Sequence, residues 1–302
     1  MTDSGLRSRL RGKTWRATQR LKQAFGLAQT IEYRCGDYPI RLPAGHLLPD
    51  FQRQHPLYDR FLPHLSRYLD AGLSVIDVGA NCGDTLAAMY SANPALKFIC
   101  IEPDDSFFGF LQVNAAKISA SGKNASITLV KSLVGKTVTS AVLEGSGGTK
   151  YAVIRDSGPA MTARTLDSIV ADMPIGKLGL LKCDVDGFDY DVIDSALETL
   201  KRFAPLVFFE CHFVHPFQKT GFENTVAGLR ELGYCKWAIF DGFGNLIVTT
   251  GDAGQILQLI GYVWRQKQQG GKRTINYFDI LAATPGNAGL LEQATGDYVS
   301  QS

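Results

Sequence analysis

Short apolar runs alternate with amphipathic stretches along most of this 302-residue chain. Residues 74–78, 98–102, 127–131, 178–184 and 206–211 are strand-length runs rich in Val, Ile, Leu, Phe and Cys. The stretch after Gly83 and residues 106–120, 188–202 and 222–232 read as helices, with apolar positions recurring every three or four residues. Residues 237–240 and 246–249 flank Asp241-Gly242-Phe243-Gly244-Asn245, a glycine-bearing turn that predicts a hairpin. A helix over 255–268 and a last strand over 278–283 close the pattern. Apolar strands alternating with helices predict an α/β fold, a Rossmann-like, doubly wound, mostly parallel sheet with helices on both faces. Such sheets bind ligands outside the carboxyl ends of their strands, where strand order reverses.

The flanks read differently. Leu6, Leu10, Leu21, Phe25 and Ala28 recur at near-helical spacing with bases between them. The plainer reading is a helix packed on the domain; the functional one is a helix lying on a membrane surface. Residues 36–56, punctuated by Gly36, Pro39, Pro43, Gly45, Pro49 and Pro56, read as loop. Leu57, Phe61, Leu65 and Leu69 predict a helix over 57–70, stopped by Gly72. Residues 136–177 break the strand–helix rhythm and predict an inserted hairpin and helix beside the active face, shaping the acceptor pocket. The expected organisation is a basic helical arm and loop (1–54), a main domain (55–285) and a C-terminal tail (286–302).

Composition narrows the class. Apolar residues make up 45% and charged residues 20%, as in ordinary globular proteins, which excludes a disordered or collagen-like chain. No apolar run approaches the roughly 18 residues of a membrane span. Residues 1–25 hold seven bases against Asp3, leaving the remainder at a net charge of −4. An acidic body is a poor surface for nucleic acid, so none is expected as a partner. The basic arm suits phosphate headgroups or an anionic glycolipid, hence peripheral membrane contact. The six cysteines form no C-x-x-C pair, and Cys100, Cys183 and Cys211, in or at the ends of apolar runs, read as buried free thiols. With no uninterrupted apolar leader, the expected location is cytoplasmic, although the Arg-rich, acid-poor start also has the composition of a transit peptide.

Candidate chemistry gathers at strand ends. In Asp77-Val78-Gly79-Ala80-Asn81-Cys82-Gly83-Asp84-Thr85 a strand ends in an acid and a Gly-x-x-x-Gly loop enters a helix. Glycines let backbone approach a ligand closely. The dinucleotide fingerprint would need glycine at Asn81. Asp77 and Asp84 would repel a pyrophosphate but attract an ammonium and a sulfonium, as S-adenosylmethionine carries. Glu102, in Ile101-Glu102-Pro103, stands 23 residues after Gly79, where a carboxylate accepts hydrogen bonds from ribose hydroxyls. Downstream, Lys182-Cys183-Asp184-Val185-Asp186-Gly187 ends the fourth strand. Asp184 and Asp186 are expected to face the cofactor site. Asp189, Asp191 and Asp194 read as first-turn helix acids. Glu210 and His212 end the fifth strand, and period two turns both to one side.

These stretches resemble the FkbM-type S-adenosylmethionine-dependent methyltransferases. The resemblance runs from His55-Pro56-Leu57-Tyr58-Asp59 through residues 76–85, 101–103, Thr165-Leu166-Asp167-Ser168 and 181–189 to Phe208-Phe209-Glu210. It implies the class I methyltransferase architecture and methylation of a hydroxyl, commonly on a sugar or polyketide. It implies cofactor contacts along Asp77, Gly79, Ala80, Asn81, Gly83, Thr85, Glu102, Pro103 and Asp184. Where the family often has Asn after the third strand, this chain has Lys131-Ser132, leaving Ser132 for the adenine edge. Where it often has Glu, this chain has Asp186 and Asp189.

The expected reaction is in-line methyl transfer to a hydroxyl of a sugar in glycan or lipopolysaccharide assembly. A base accelerates such a step typically 10²–10⁴-fold. His212 and Asp184 are the first candidates, Asp186 and Glu210 the next. The same four could instead hold a divalent cation, magnesium or manganese, that acidifies the hydroxyl. Two rivals stay open: an NAD-binding oxidoreductase on a similar sheet, and a catalytically silent cofactor-binding scaffold.

Overall fold

The computed structural model describes residues 30–121, 125–138, 140–145, 148, 150–153, 161–270 and 275–301. The chain opens with a hairpin, β1 (Thr30–Cys35) and β2 (Tyr38–Pro43), then α1 (Leu48–Gln54) and α2 (Phe61–Ser66). β3 (Ser74–Val78), α3 (Asp84–Ala92), β4 (Lys97–Ile101), α4 (Asp105–Ser119) and β5 (Ser126–Val130) follow. A side sheet of β6 (Leu133–Val134), β7 (Ser140–Glu144), β8 (Tyr151–Val153) and β9 (Met161–Arg164) precedes α5 (Leu166–Ala171). Next come β10 (Leu178–Cys183), α6 (Asp189–Asp194), α7 (Leu197–Phe203), β11 (Leu206–Cys211) and α8 (Pro216–Glu231). β12 (Lys236–Asp241), β13 (Leu246–Thr250), α9 (Ala253–Gln269), β14 (Phe278–Ala283) and α10 (Pro285–Gln301) complete it.

The main sheet has the order β13-β12-β14-β11-β10-β3-β4-β5. Strands β3, β4, β5, β10 and β11 are parallel, and β14 runs antiparallel between β11 and β12. Strand order reverses between β3 and β10, so their carboxyl ends open a crevice. The expected Rossmann-like sheet is thus present.

Period two divides the apolar residues between two cores. Val75, Phe98, Leu180, Phe208 and Phe240 face one side, packing against the hairpin, α2, α3, α4 and α10. Ile76, Ile99, Leu181, Phe209 and Ile239 face the other, against α5 to α9. A strand buried on both faces has no polar alternation, which is why these strands read as unbroken apolar runs.

Three expectations at the flanks are corrected. The stretch 36–56 is not loop throughout; it contains β2 and α1. The helix expected over 57–70 is confined to Phe61–Ser66. The supposed tail is α10, whose Leu291, Ala294 and Tyr298 are buried in the first core. The stretch 188–202 holds two helices, α6 and α7. The reading of residues 6–28 lies outside the described residues. No described helix is long and apolar enough to cross a membrane.

Two polar anchors fix the additions to the sheet. Asn114 in α4 accepts from Arg41 N (2.7 Å) and donates to Arg41 O and Cys82 O (both 2.8 Å), tying β2 to the glycine loop. Asp191 in α6 accepts from the backbone N–H groups of Lys136, Thr137 and Val138 and from the Thr137 hydroxyl, holding the segment that leads into the side sheet.

Candidate active site

β3 and β10 pair so that Asp77 lies opposite Lys182. Both are buried, with Lys182 Nζ 2.9 Å from Asp77 Oδ1. The ammonium also donates to Gly79 O (3.1 Å) and lies 3.7 Å from Asp184 Oδ2. Burial alone would lower the Lys182 pKa, but Asp77 and then Asp184 outweigh it and hold the group charged. Above this pair, Gly79 turns at φ +78°, and a Cβ there would lie 1.9 Å from Asp184 O. Only glycine lets the two strand ends come so close.

Asn81, itself left-handed at φ 48°, connects the loop to its surroundings. Its N–H donates to Glu102 Oε2 (2.9 Å) and its Nδ2 to Gly148 O of the insertion (2.7 Å). Its Oδ1 accepts from Cys82 N and lies 3.4 Å from His46 Nε2. His46 Nδ1 accepts from Leu48 N, so the neutral ring carries its proton on Nε2, toward Asn81. The other Glu102 oxygen accepts from Asp104 N (2.9 Å). Burial, opposed by these two N–H groups, raises the Glu102 carboxyl to about 7.

Two cavities meet at this point. A narrow slot runs past Glu102, Pro103 and Ser132, walled by Phe107, Leu133, Leu143 and Phe188. Lys150 of the insertion stands at its edge, 2.6 Å from Asp104 Oδ2 and over the Phe107 ring. The wider cleft, about 440 Å³, contains Asp59, Asp84, Asp184, Asp186, Glu210 and Asp279. Gly79, Asn81, Asp184 and Asp186 line both.

The site fits S-adenosylmethionine in its donor chemistry. Each Glu102 oxygen uses one lone pair on a backbone N–H and keeps another for a ribose hydroxyl. The slot's apolar walls suit adenine, and the acidic cleft beside it suits a ligand with two positive centres. The same carboxylates would repel the second phosphate of a dinucleotide.

Several residues expected to touch cofactor take other positions. Asp77 lines neither cavity; it lies under the loop, paired with Lys182. Ala80 and Gly83 also line neither; Gly83, at φ 83°, starts α3, and Ala80 is buried in the first core. Thr85 lines the wide cleft and Pro103 the slot. Ser132 lines the slot with its hydroxyl donated to Leu133 O. Asp189 is buried beneath its own loop, accepting from Gly187 N (3.2 Å) and Val185 N (3.4 Å).

Asp184, Asp186, Glu210 and His212 all line the wide cleft. Asp184 is half exposed. Burial, then Asp184, raises Asp186 to about 7. Burial, then Asp184, also raises Glu210 well above the usual carboxylate range. Burial and the Lys267 charge lower His212 to about 4, so its imidazole is neutral at pH 7. Sequence reasoning missed Lys182 as a structural charge, Asp59 as a cleft residue, and Tyr277 and Asp279. A lysine inside the apolar run 178–183 was the signal for the first. Tyr277 and Asp279 arrive because β14 is antiparallel, which brings its beginning to the active edge beside Glu210.

A Rossmann-like sheet with a strand-end carboxylate over a glycine loop defines the class I methyltransferase type. The chain matches the Methyltransferase FkbM domain over residues 77–235, just over half its length. It therefore belongs to the FkbM family of S-adenosylmethionine-dependent methyltransferases. No curated protein matches it. Among solved structures, the FkbM methyltransferase of Methylobacillus flagellatus KT is 13% identical, with 70% of this chain and 43% of that chain covered and a TM-score of 0.38. Precorrin-6y C5,15-methyltransferase from Geobacter metallireducens GS-15 is also 13% identical, with 74% and 86% covered and a TM-score of 0.39. The METTL16 methyltransferase domain is 16% identical, with 89% and 78% covered and a TM-score of 0.43.

Proposed function

We propose that the protein methylates a hydroxyl group of a sugar during glycan or lipopolysaccharide assembly. The observation that carries this reading is the shared wall of the two cavities: Asp184 and Asp186 border both the slot past Glu102 and the acidic cleft. S-adenosylmethionine, when bound, supplies an electrophilic methyl group whose bond to sulfur breaks, the electron pair staying on sulfur, as the acceptor oxygen takes the carbon. Asp184 receives the hydroxyl proton on its carboxylate. Its side chain is half exposed and lines both cavities, so it is open to the acceptor where the two meet. Asp59, Asn276 and Asp279 offer hydrogen-bond partners for neighbouring hydroxyls, and the Tyr58 and Tyr277 rings offer faces for a sugar. The carboxylates disfavour a phosphate at the reacting ring, so an anionic or lipid-linked part of the acceptor stays outside the cleft. The basic residues of 1–25 suit such a part, or the surface of a membrane.

The test is transfer of labelled methyl from S-adenosylmethionine to a panel of neutral glycans, followed by linkage analysis of the product. An O-methyl sugar, with transfer lost in Asp184→Asn, is expected. Label on nitrogen or carbon, or binding without turnover on any glycan, would overturn the hydroxyl assignment.

A further inference from the structure

Three side chains in the wide cleft come from separate positions around the sheet edge. Asp186 stands on the loop after β10, where its backbone is left-handed at φ 54°. Glu210 is in β11 and His212 follows that strand. One ligand atom from each lies within 4.8 Å of the other two. Ligands held about 2.1 Å from one ion are roughly 3–4.2 Å apart, so small side-chain movements close this set around a cation. His212 Nδ1 is already 4.0 Å from Glu210 Oε2.

A second observation points to an absent ligand. Glu210 is 9% exposed, and its Oε2 is buried without a hydrogen-bond partner among the described residues. Leaving a buried carboxylate oxygen unsatisfied is costly, and metal coordination is one of the few ways such an oxygen is satisfied. Asp184 stands apart from the set, drawn toward Lys182.

We propose that Asp186, Glu210 and His212 form a binding site for one divalent first-row metal ion, of the Mn²⁺ class, on the acceptor side of the cleft. Two carboxylates and one imidazole are a mixed oxygen and nitrogen set, which favours such an ion over Mg²⁺ with its all-oxygen preference. Three protein ligands leave positions open for acceptor oxygens. The ion lowers the pKa of a hydroxyl bound there, and Asp184 is left free to take the proton. This role rests on the hydroxyl-methylation reading, but the site itself does not.

The test uses the full-length protein stripped by chelation and titrated with Mn²⁺ alone, with free Mn²⁺ followed by electron paramagnetic resonance. One ion per chain is expected, with ¹⁴N coupling from an imidazole in the pulsed spectrum. Glu210→Gln and His212→Gln should each weaken binding at least tenfold, and loss of the ¹⁴N coupling should be confined to the histidine variant. Asp59→Asn, in the same cleft, should bind within twofold of wild type. Circular dichroism confirms that each variant is folded. Failure of the folded wild type to take up Mn²⁺ would overturn the site, as would retention of tight binding in both ligand variants. The same stripped samples are titrated with S-adenosylhomocysteine. Nucleoside binding combined with failure to take up Mn²⁺ overturns the metal site alone, and Mn²⁺ uptake combined with failure to bind the nucleoside overturns the cofactor assignment of the slot alone.

Discussion

Lys182 Nζ and Asp77 Oδ1 lie 2.9 Å apart in the floor of the crevice, both side chains buried. They are cross-strand neighbours at the point where strand order reverses. The acid that ends the first parallel strand thus serves the loop's foundation. Removing one partner of a buried pair leaves an uncompensated charge, typically at a cost of about 3–5 kcal/mol. Lys182→Met should destabilise the protein by that order, and Lys182→Met combined with Asp77→Asn by clearly less. Urea unfolding of the wild type, the two single variants and the double variant measures the coupling. Additive effects would show that the pair does not act as a unit.

Glu102 makes a separate prediction about the cofactor. Its two oxygens are held by Asn81 N and Asp104 N, which aims the remaining lone pairs into the slot. Hydrogen bonds to a charged group contribute roughly 1.5–3 kcal/mol each. Glu102→Ala should therefore weaken S-adenosylhomocysteine at least about tenfold, with a much smaller change in the Michaelis constant for the acceptor. Calorimetry on the variant decides this, and an unchanged nucleoside affinity removes Glu102 from the ribose site.

Asp191 predicts a local rather than global effect. Its carboxylate gathers three backbone N–H groups and the Thr137 hydroxyl at the entrance to the side sheet. The side sheet contributes Leu143, Lys150 and Ala152 to the slot. Asp191→Ala should speed amide exchange across 133–153 while β3 and β10 stay protected. Nucleoside affinity should fall with it, because one wall of the slot is then less ordered. Hydrogen-exchange mass spectrometry, with and without S-adenosylhomocysteine, reads both effects.

The parallel strands were legible because burial on both faces removes polar residues from them, leaving unbroken runs such as those of β3 and β11. The glycine loop was legible because Gly79 has no steric alternative beside Asp184 O. The hairpin β1–β2 was hidden by Pro39 and Pro43, which a two-stranded ribbon tolerates. In α10 the buried positions Leu291, Ala294, Thr295 and Tyr298 do follow helical spacing, but Gly286, Gly289 and Gly296 dilute the signal. At the site, sequence placed Glu102, Asp184, Asp186, Glu210 and His212 at strand ends, where the structure has them. It could not show that Asp77 is consumed by Lys182, since that depends on the register between strands about a hundred residues apart. Nor could it bring Asp279 next to Glu210, which depends on the direction of β14.

The buried carboxyls also set how stability responds to pH. Burial raises Glu102 from an ordinary 4.5 to about 7, and burial followed by the Asp184 charge raises Asp189 from 3.8 to about 7. Between the unfolded and folded values, the folded chain holds protons that the unfolded chain has released. Unfolding free energy must therefore fall as pH rises through this window. The stabilisation is fully present below about pH 4 and is lost as pH passes 7, with each group contributing at most a few kcal/mol, at about 1.4 kcal/mol per pKa unit. Urea midpoints of the chelated, ligand-free protein should decline between pH 4.5 and 8, with a shallower decline in Glu102→Gln, which cannot ionise. Parallel declines in the two proteins would mean that Glu102 is charged throughout and that its two backbone donors outweigh its burial.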